Sequence, residues 1–126
     1  MTSVMIDSSA WIDLFEGKDN GILVQEFLEK KDCCTPSVVV AEVCSKIHKK
    51  GFDVDMAFRA LTSMPIIPLT AEIAKSAGIL HSTHHSRNPK FALADAIVLA
   101  TAREMNAKIL TKDTDFRNVP EAILLK

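Results

Sequence analysis

The chain lacks much that would narrow its function quickly. It has no tyrosine, one tryptophan, six phenylalanines and four glycines in 126 residues. Neither G-x-x-x-x-G-K nor G-x-G-x-x-G occurs, which removes the common glycine-rich phosphate cradles. The few aromatics, Trp11 included, read as core and not as platforms for stacked bases. Neither charge sign dominates, because the formal net charge is −1. That excludes neither nucleic acid nor small substrates; it argues against nucleic-acid binding by overall positive charge, and any such contact needs a local basic patch. The longest fully apolar run, Ala96 to Ala100, is far short of a membrane span. The start, MTSVMIDSSAW, is too short and too acidic for a signal peptide. Three cysteines, Cys33, Cys34 and Cys44, offer no disulfide framework and no C-x-x-C pair. That points to a reducing, cytoplasmic setting.

What is present suits one α/β domain. Hydrophobic residues make up 48% of the chain, enough for an ordinary core. The run SVMI, Ser3 to Ile6, reads as a buried strand ending at Asp7. Ser8 and Ser9 can cap a short helix through Trp11, Ile12, Leu14 and Phe15, stopped by Gly17. Ile22 to Lys30 forms an amphipathic helix. Cys33 and Cys34 make a brief strand, with Thr35 as the cap and Pro36 in the first turn of a helix over about 37–50. Further helices are expected over 53–63, from Thr70 through Leu80, and over Lys90 to Asn106. The stretch HSTHHSRNPK reads as a polar loop or frayed helix end. Ile66-Ile67, Lys108–Thr111 and residues 122–125 are the remaining strands. Alternating short apolar strands and helices predict a mostly parallel sheet inside a three-layer α/β/α sandwich. In such sheets the ligand lies outside the carboxyl ends of the strands.

Carboxylates sit at those ends. Asp7 follows the first strand directly, and ILTKDTDF places Asp113 and Asp115 just past another. Each alone is also a plausible turn or helix-cap residue. Asp95 is harder to dismiss, because Phe91, Val98 and Leu99 surround it at helical spacing. Burying its charge without a partner is expensive. It serves either as an N-cap, with the helix starting there, or as a metal ligand, and the two roles are compatible. Glu42 has Val38, Val39 and Val43 around it on its own helix. A parallel sheet can gather these acids at one edge, where they repel one another until a cation neutralises them. Oxygen donors without a useful Cys or His set favour Mg²⁺ or Mn²⁺ over zinc.

The pieces VMIDSSAWID, PSVVVAEV, LADAIVLATA and ILTKDTDF, in that order, resemble the PIN-domain ribonucleases. Within them the chain is most similar to the VapC-type toxins of prokaryotic toxin–antitoxin pairs. The likeness spans nearly the whole chain; each motif is weak alone, and the ordered set is specific. It implies a Mg²⁺- or Mn²⁺-dependent endoribonuclease whose acidic residues are Asp7, Glu42, Asp95 and Asp113. It implies Asp115 as a further ligand or a support for the turn. It also places Ser8 and Thr111 where the family often sets a hydroxyl beside the metal. An antitoxin that covers the acidic edge is implied by the resemblance alone.

An RNA substrate needs positive charge near that edge. Arg87 and Lys90 are the leading candidates, Arg87 because a planar fork of donors suits phosphate. Lys46, Lys49, Lys50 and Lys112 are further ones. His81, His84 and His85 form H-x-x-H-H, a weak zinc signal without a third ligand type. A homodimer is expected through the apolar faces of the helices at 22–30 and 53–63. Three other readings stay open: a housekeeping RNA-processing nuclease, a non-catalytic binding module of the same fold, and a haloacid-dehalogenase-type phosphotransferase. The last wants a second Asp two residues after the first, where this chain has Ser9.

Overall fold

The structure is a computed structural model that describes residues 3–126. The chain runs β1 (Val4–Ile6), α1 (Ser8–Phe15), α2 (Asn20–Lys30), β2 (Cys33–Pro36), α3 (Ser37–Lys49) and α4 (Val54–Leu61). It continues through β3 (Ile66–Ile67), α5 (Ala71–His85), α6 (Leu93–Glu104) and β4 (Lys108–Thr111), and then a 3-10 turn (Thr114–Phe116) and β5 (Ala122–Leu124). The five strands pair in the order β3-β2-β1-β4-β5, and every pairing is parallel.

That order fixes the layers. Successive crossovers from β1 to β2 to β3 move one way across the sheet, and the crossover from β3 to β4 moves back. Right-handed connections therefore set α1–α4 on one face and α5–α6 on the other. The packing agrees: α1 lies on α2 and α3, α3 on α4, and α5 on α6. The expected three-layer α/β/α sandwich with a parallel sheet is the observed architecture. β1 is central, and Val4, Met5 and Ile6 are all buried, as a strand covered on both faces requires.

Local chemistry accounts for the element ends. Thr70 caps α5 by accepting the Ile73 N–H at 3.2 Å. Asp53 caps α4 by accepting the N–H groups of Asp55 and Met56. Gly17 and Gly51 follow α1 and α3 with φ of +68° and +79°, a left-handed step that residues with a Cβ resist. In α3 the β-branched run is tolerated because Val39, Val43 and Ile47, one turn apart, enter the core.

Several boundaries differ from the sequence expectation. β2 continues through Thr35 and Pro36, so Thr35 is a strand residue and not a cap. Thr35 pairs with Ile66, and its hydroxyl accepts the Trp11 indole N–H at 3.1 Å. α5 runs on to His85, absorbing the first half of HSTHHSRNPK. α6 starts at Leu93, between the two expected starts, so Asp95 is the third helical residue and not the N-cap. Helix α6 packs on β4. Leu99 there is fully buried, and Leu99→Ala is expected to cost about 2–5 kcal/mol of stability in urea titration.

Candidate functional site

The carboxyl ends of β1 and β4 and the start of α6 meet at one edge. Asp7 leaves β1 as the residue before α1. Lys112, Asp113 and Asp115 leave β4, and Asp113 opens the 3-10 turn by accepting the Asp115 N–H at 2.9 Å. Asp95 lies in the first turn of α6, where its Oδ2 accepts the Ala92 N–H at 2.9 Å. A T-shaped contact between Phe91 and Phe116, with ring centroids 5.6 Å apart, ties these two segments together. Both rings are buried, so the residues read as core also set the spacing of the acids beside them.

Asp95, Asp113 and Asp115 each offer a carboxylate oxygen, and the three oxygens lie within 4.8 Å of one another. Asp7 and Glu42 stand outside that triad but share its field. Asp7 is buried, and its Oδ2 accepts the Thr111 hydroxyl at 2.7 Å. The Thr111 oxygen in turn accepts the Asp113 N–H at 3.0 Å. Ser9 lies 3.4 Å from Asp7 Oδ2 and 3.2 Å from the Thr111 oxygen. Ser8 turns to Glu42 and favours its charged form. The sequence pointed to Ser8 and Thr111; Ser9 is the hydroxyl beside Asp7 that it missed in this role.

Asp95, Asp7 and Glu42 are held against their charge. Burial pushes the carboxyl of Asp95 from 3.8 up to about 7; the Ala92 N–H opposes this, and the charges of Asp113, Asp7 and Glu42 add to it. Burial also raises Asp7, against the hydrogen bonds from Thr111 and the Ser8 backbone, with Asp113 pushing the same way as burial. Glu42 is raised by burial first and then by Asp7. Among the described residues, no lysine or arginine forms an ion pair with any of the five acids. Their repulsion is thus left uncompensated by the chain. An all-oxygen set of this kind fits a hard divalent cation, Mg²⁺ or Mn²⁺, better than zinc.

The basic candidates divide. Arg87 and Lys90 are exposed on the turn after α5. Asn88 between them reaches Asp115 with its side-chain amide at 3.4 Å, which brings that turn to the acidic edge. Lys46 and Lys49 are exposed on α3. Lys50 is paired with Glu16 away from the edge. Lys112 is also diverted, because its ammonium lies 3.0 Å from the buried carboxylate of Asp13. The rings of His81 and His85 lie tilted to each other with centroids 5.2 Å apart, and His84 lies against Phe91. Among the described residues these histidines join no group of three potential metal ligands.

The fold and this edge define a class, a parallel α/β domain with its acids gathered beyond the strand ends. The family model of the PIN domain matches residues 4–122, and the chain belongs to the PIN-domain family. Its structure is similar to a chain of a toxin–antitoxin complex from Klebsiella pneumoniae, with 26% identity, 95% of each chain covered and a TM-score of 0.78. It is similar in fold to VapC20 of Mycobacterium tuberculosis, a toxin that cleaves the sarcin–ricin loop. That pair shares 19% identity over 93% of this chain and 95% of the other, at a TM-score of 0.78. VapBC2 of Rickettsia felis, bound to a DNA fragment from its promoter, shares the fold at 17% identity over 98% of each chain, with a TM-score of 0.74. No curated protein matches the chain.

Proposed function

We propose that the protein is an endoribonuclease that hydrolyses RNA phosphodiester bonds with Mg²⁺ or Mn²⁺, and that it is the toxin of a toxin–antitoxin pair. The observation that carries this reading is the uncompensated carboxylate triad of Asp95, Asp113 and Asp115, with oxygens within 4.8 Å, beside Asp7 and Glu42. A divalent cation held there would lower the pKa of a bound water and offset charge on the phosphate.

The chain's own residues have separate tasks. Thr111 and Ser9 hold Oδ2 of Asp7, which fixes the rotamer of that carboxylate. Asp95 Oδ2 is occupied by the Ala92 N–H, so a proton carried by this residue sits on Oδ1. Burial holds the carboxyl of Asp95 up at about 7, and a cation held there would favour its ionised form. Asp115 is braced by Asn88, and Asp113 by its own turn. Arg87 and Lys90 flank Asn88 and receive the phosphates of the substrate.

The relatives are toxins and toxin–antitoxin complexes, which supports an antitoxin partner; in this proposal it covers the acidic edge. Self-association is part of the same proposal, through Ile22 and Leu23 on α2 and Met56 and Phe58 on α4, all exposed. A cytoplasmic setting fits the three free cysteines. Among the described residues no helix is long and apolar enough to cross a membrane.

The deciding experiment presents a panel of structured RNAs to the wild type and to Asp7→Asn, with and without Mg²⁺ or Mn²⁺. Cutting is expected only from the wild type with metal. Absence of cutting by a partner-free wild type shown to bind the metal would point instead to a binding module.

A further inference from the structure

One acid, Asp13, lies outside the candidate site and is nearly as buried as any residue in the chain. It is 2% exposed, although it is charged and sits among Trp11, Ile12 and Leu14 on α1. Both its oxygens are used. Oδ1 faces the Lys112 ammonium at 3.0 Å, and Oδ2 accepts the Asn20 amide at 3.1 Å. The same Asn20 nitrogen donates to the Lys126 carbonyl at 2.8 Å. Burial opposes the charge on Asp13, but the bonds from Lys112 and Asn20 outweigh it and hold the carboxyl below its ordinary value.

Lys112 is gripped twice, and from one helix. Its backbone N–H donates to Ser9 Oγ at 2.9 Å, and its side chain ends on Asp13. Ser9 and Asp13 are four residues apart on α1, so they present one face to the segment leaving β4. The next residue is Asp113, whose carboxylate carries the turn to Asp115. The position of two of the three triad acids therefore depends on where Lys112 is fastened.

We infer that Asp13 is a positioning residue, acting through Lys112 to hold the Asp113–Asp115 turn at ligand distance from Asp95. This rests on the cation-binding reading of the triad. It also gives Lys112 a role other than contact with phosphate. Groups that orient ligands from behind typically change metal affinity by about 10–100-fold when removed.

The charges allow a clean test. Asp13→Asn removes a negative charge near the site, and charge alone would weaken cation binding. Lys112→Met removes a positive charge, and charge alone would strengthen it. Loss of position weakens binding in both. Mn²⁺ affinity, read by electron paramagnetic resonance on the full chain, is expected to fall about tenfold in each variant. The double variant should lose no more than the larger single loss, because both break one linkage. Lys112→Arg should restore most of the affinity.

Tighter Mn²⁺ binding by Lys112→Met would overturn the inference. So would wild-type affinity in both variants, with only their melting temperatures lowered. Lys112 is partly exposed, so its variants remain usable should Asp13→Asn fail to fold. Asp95→Asn serves as the control. If that variant binds Mn²⁺ like the wild type, the triad reading fails; if it does not bind and Lys112→Met is unaffected, the positioning role alone fails.

Discussion

Asp95→Asn is expected to reduce metal-dependent RNA cleavage by about a thousandfold or more, the equivalent of ~4 kcal/mol at the transition state. The same substitution should raise the melting temperature of the metal-free protein at pH 8. The two effects share one cause. The carboxylate is raised to about 7 by burial and by Asp113, Asp7 and Glu42, so its ionised form strains the empty fold. Asparagine keeps an oxygen that can accept the Ala92 N–H, so the helix start survives. What is lost is the charge, which is harmful without a cation and required with one. A cleavage assay and a melt in chelator check the pair of expectations. Retained cleavage would remove Asp95 from the machinery, and a lower melting temperature would mean that its charge is compensated by something in the fold.

How far the sequence carried depends on whether the relevant contacts are local. β1 and β4 were legible because VMI and KILT are short apolar runs ending at polar residues. Asp7 and Asp113 followed from those ends, and the family resemblance joined them to Glu42 and Asp95. The structure brings Asp95, Asp113 and Asp115 to ligand distance, and leaves Asp7 and Glu42 further out. That ranking was not legible, because it depends on the Phe91–Phe116 contact across 25 residues of chain. Thr35 was misread because a Thr-Pro-Ser helix start outweighed a strand whose partner, β3, is two residues long. Asp13 was missed for a related reason. It lies in WIDLF, where a helical pattern suggests a solvated acid, and its partner Lys112 is 99 residues away. The clue that could have found it is local: Ala10, one turn before Asp13 on the same face of the helix, enters the core.

The last expectation concerns pH and the cation together. In chelator, the protein should lose stability as pH rises from about 4 to about 7, and then level off. Asp95 titrates near 3.8 when unfolded and near 7 when folded. Below both values it is neutral in either state and nothing is lost. Between them the unfolded chain ionises freely while the folded one resists, so folding becomes less favourable through this window. Asp7 and Glu42 are raised as well and act with the same sign. Asp13 and Glu121 are lowered, so their contribution is lost as pH falls below their ordinary values of 3.8 and 4.5, at the acid end of the window. A cation that binds the ionised acids must reverse this slope, because its affinity grows as the protons leave. At a hundred times its dissociation constant it adds about 2.7 kcal/mol, on the order of 10 °C for a chain of this size. Melts at pH 5.5 and pH 8, in chelator and in excess Mg²⁺ or Mn²⁺, measure all four corners. The stabilisation by metal should be large at pH 8 and small at pH 5.5. Equal stabilisation at both would mean that the cation binds away from these acids, however similar the fold to its relatives.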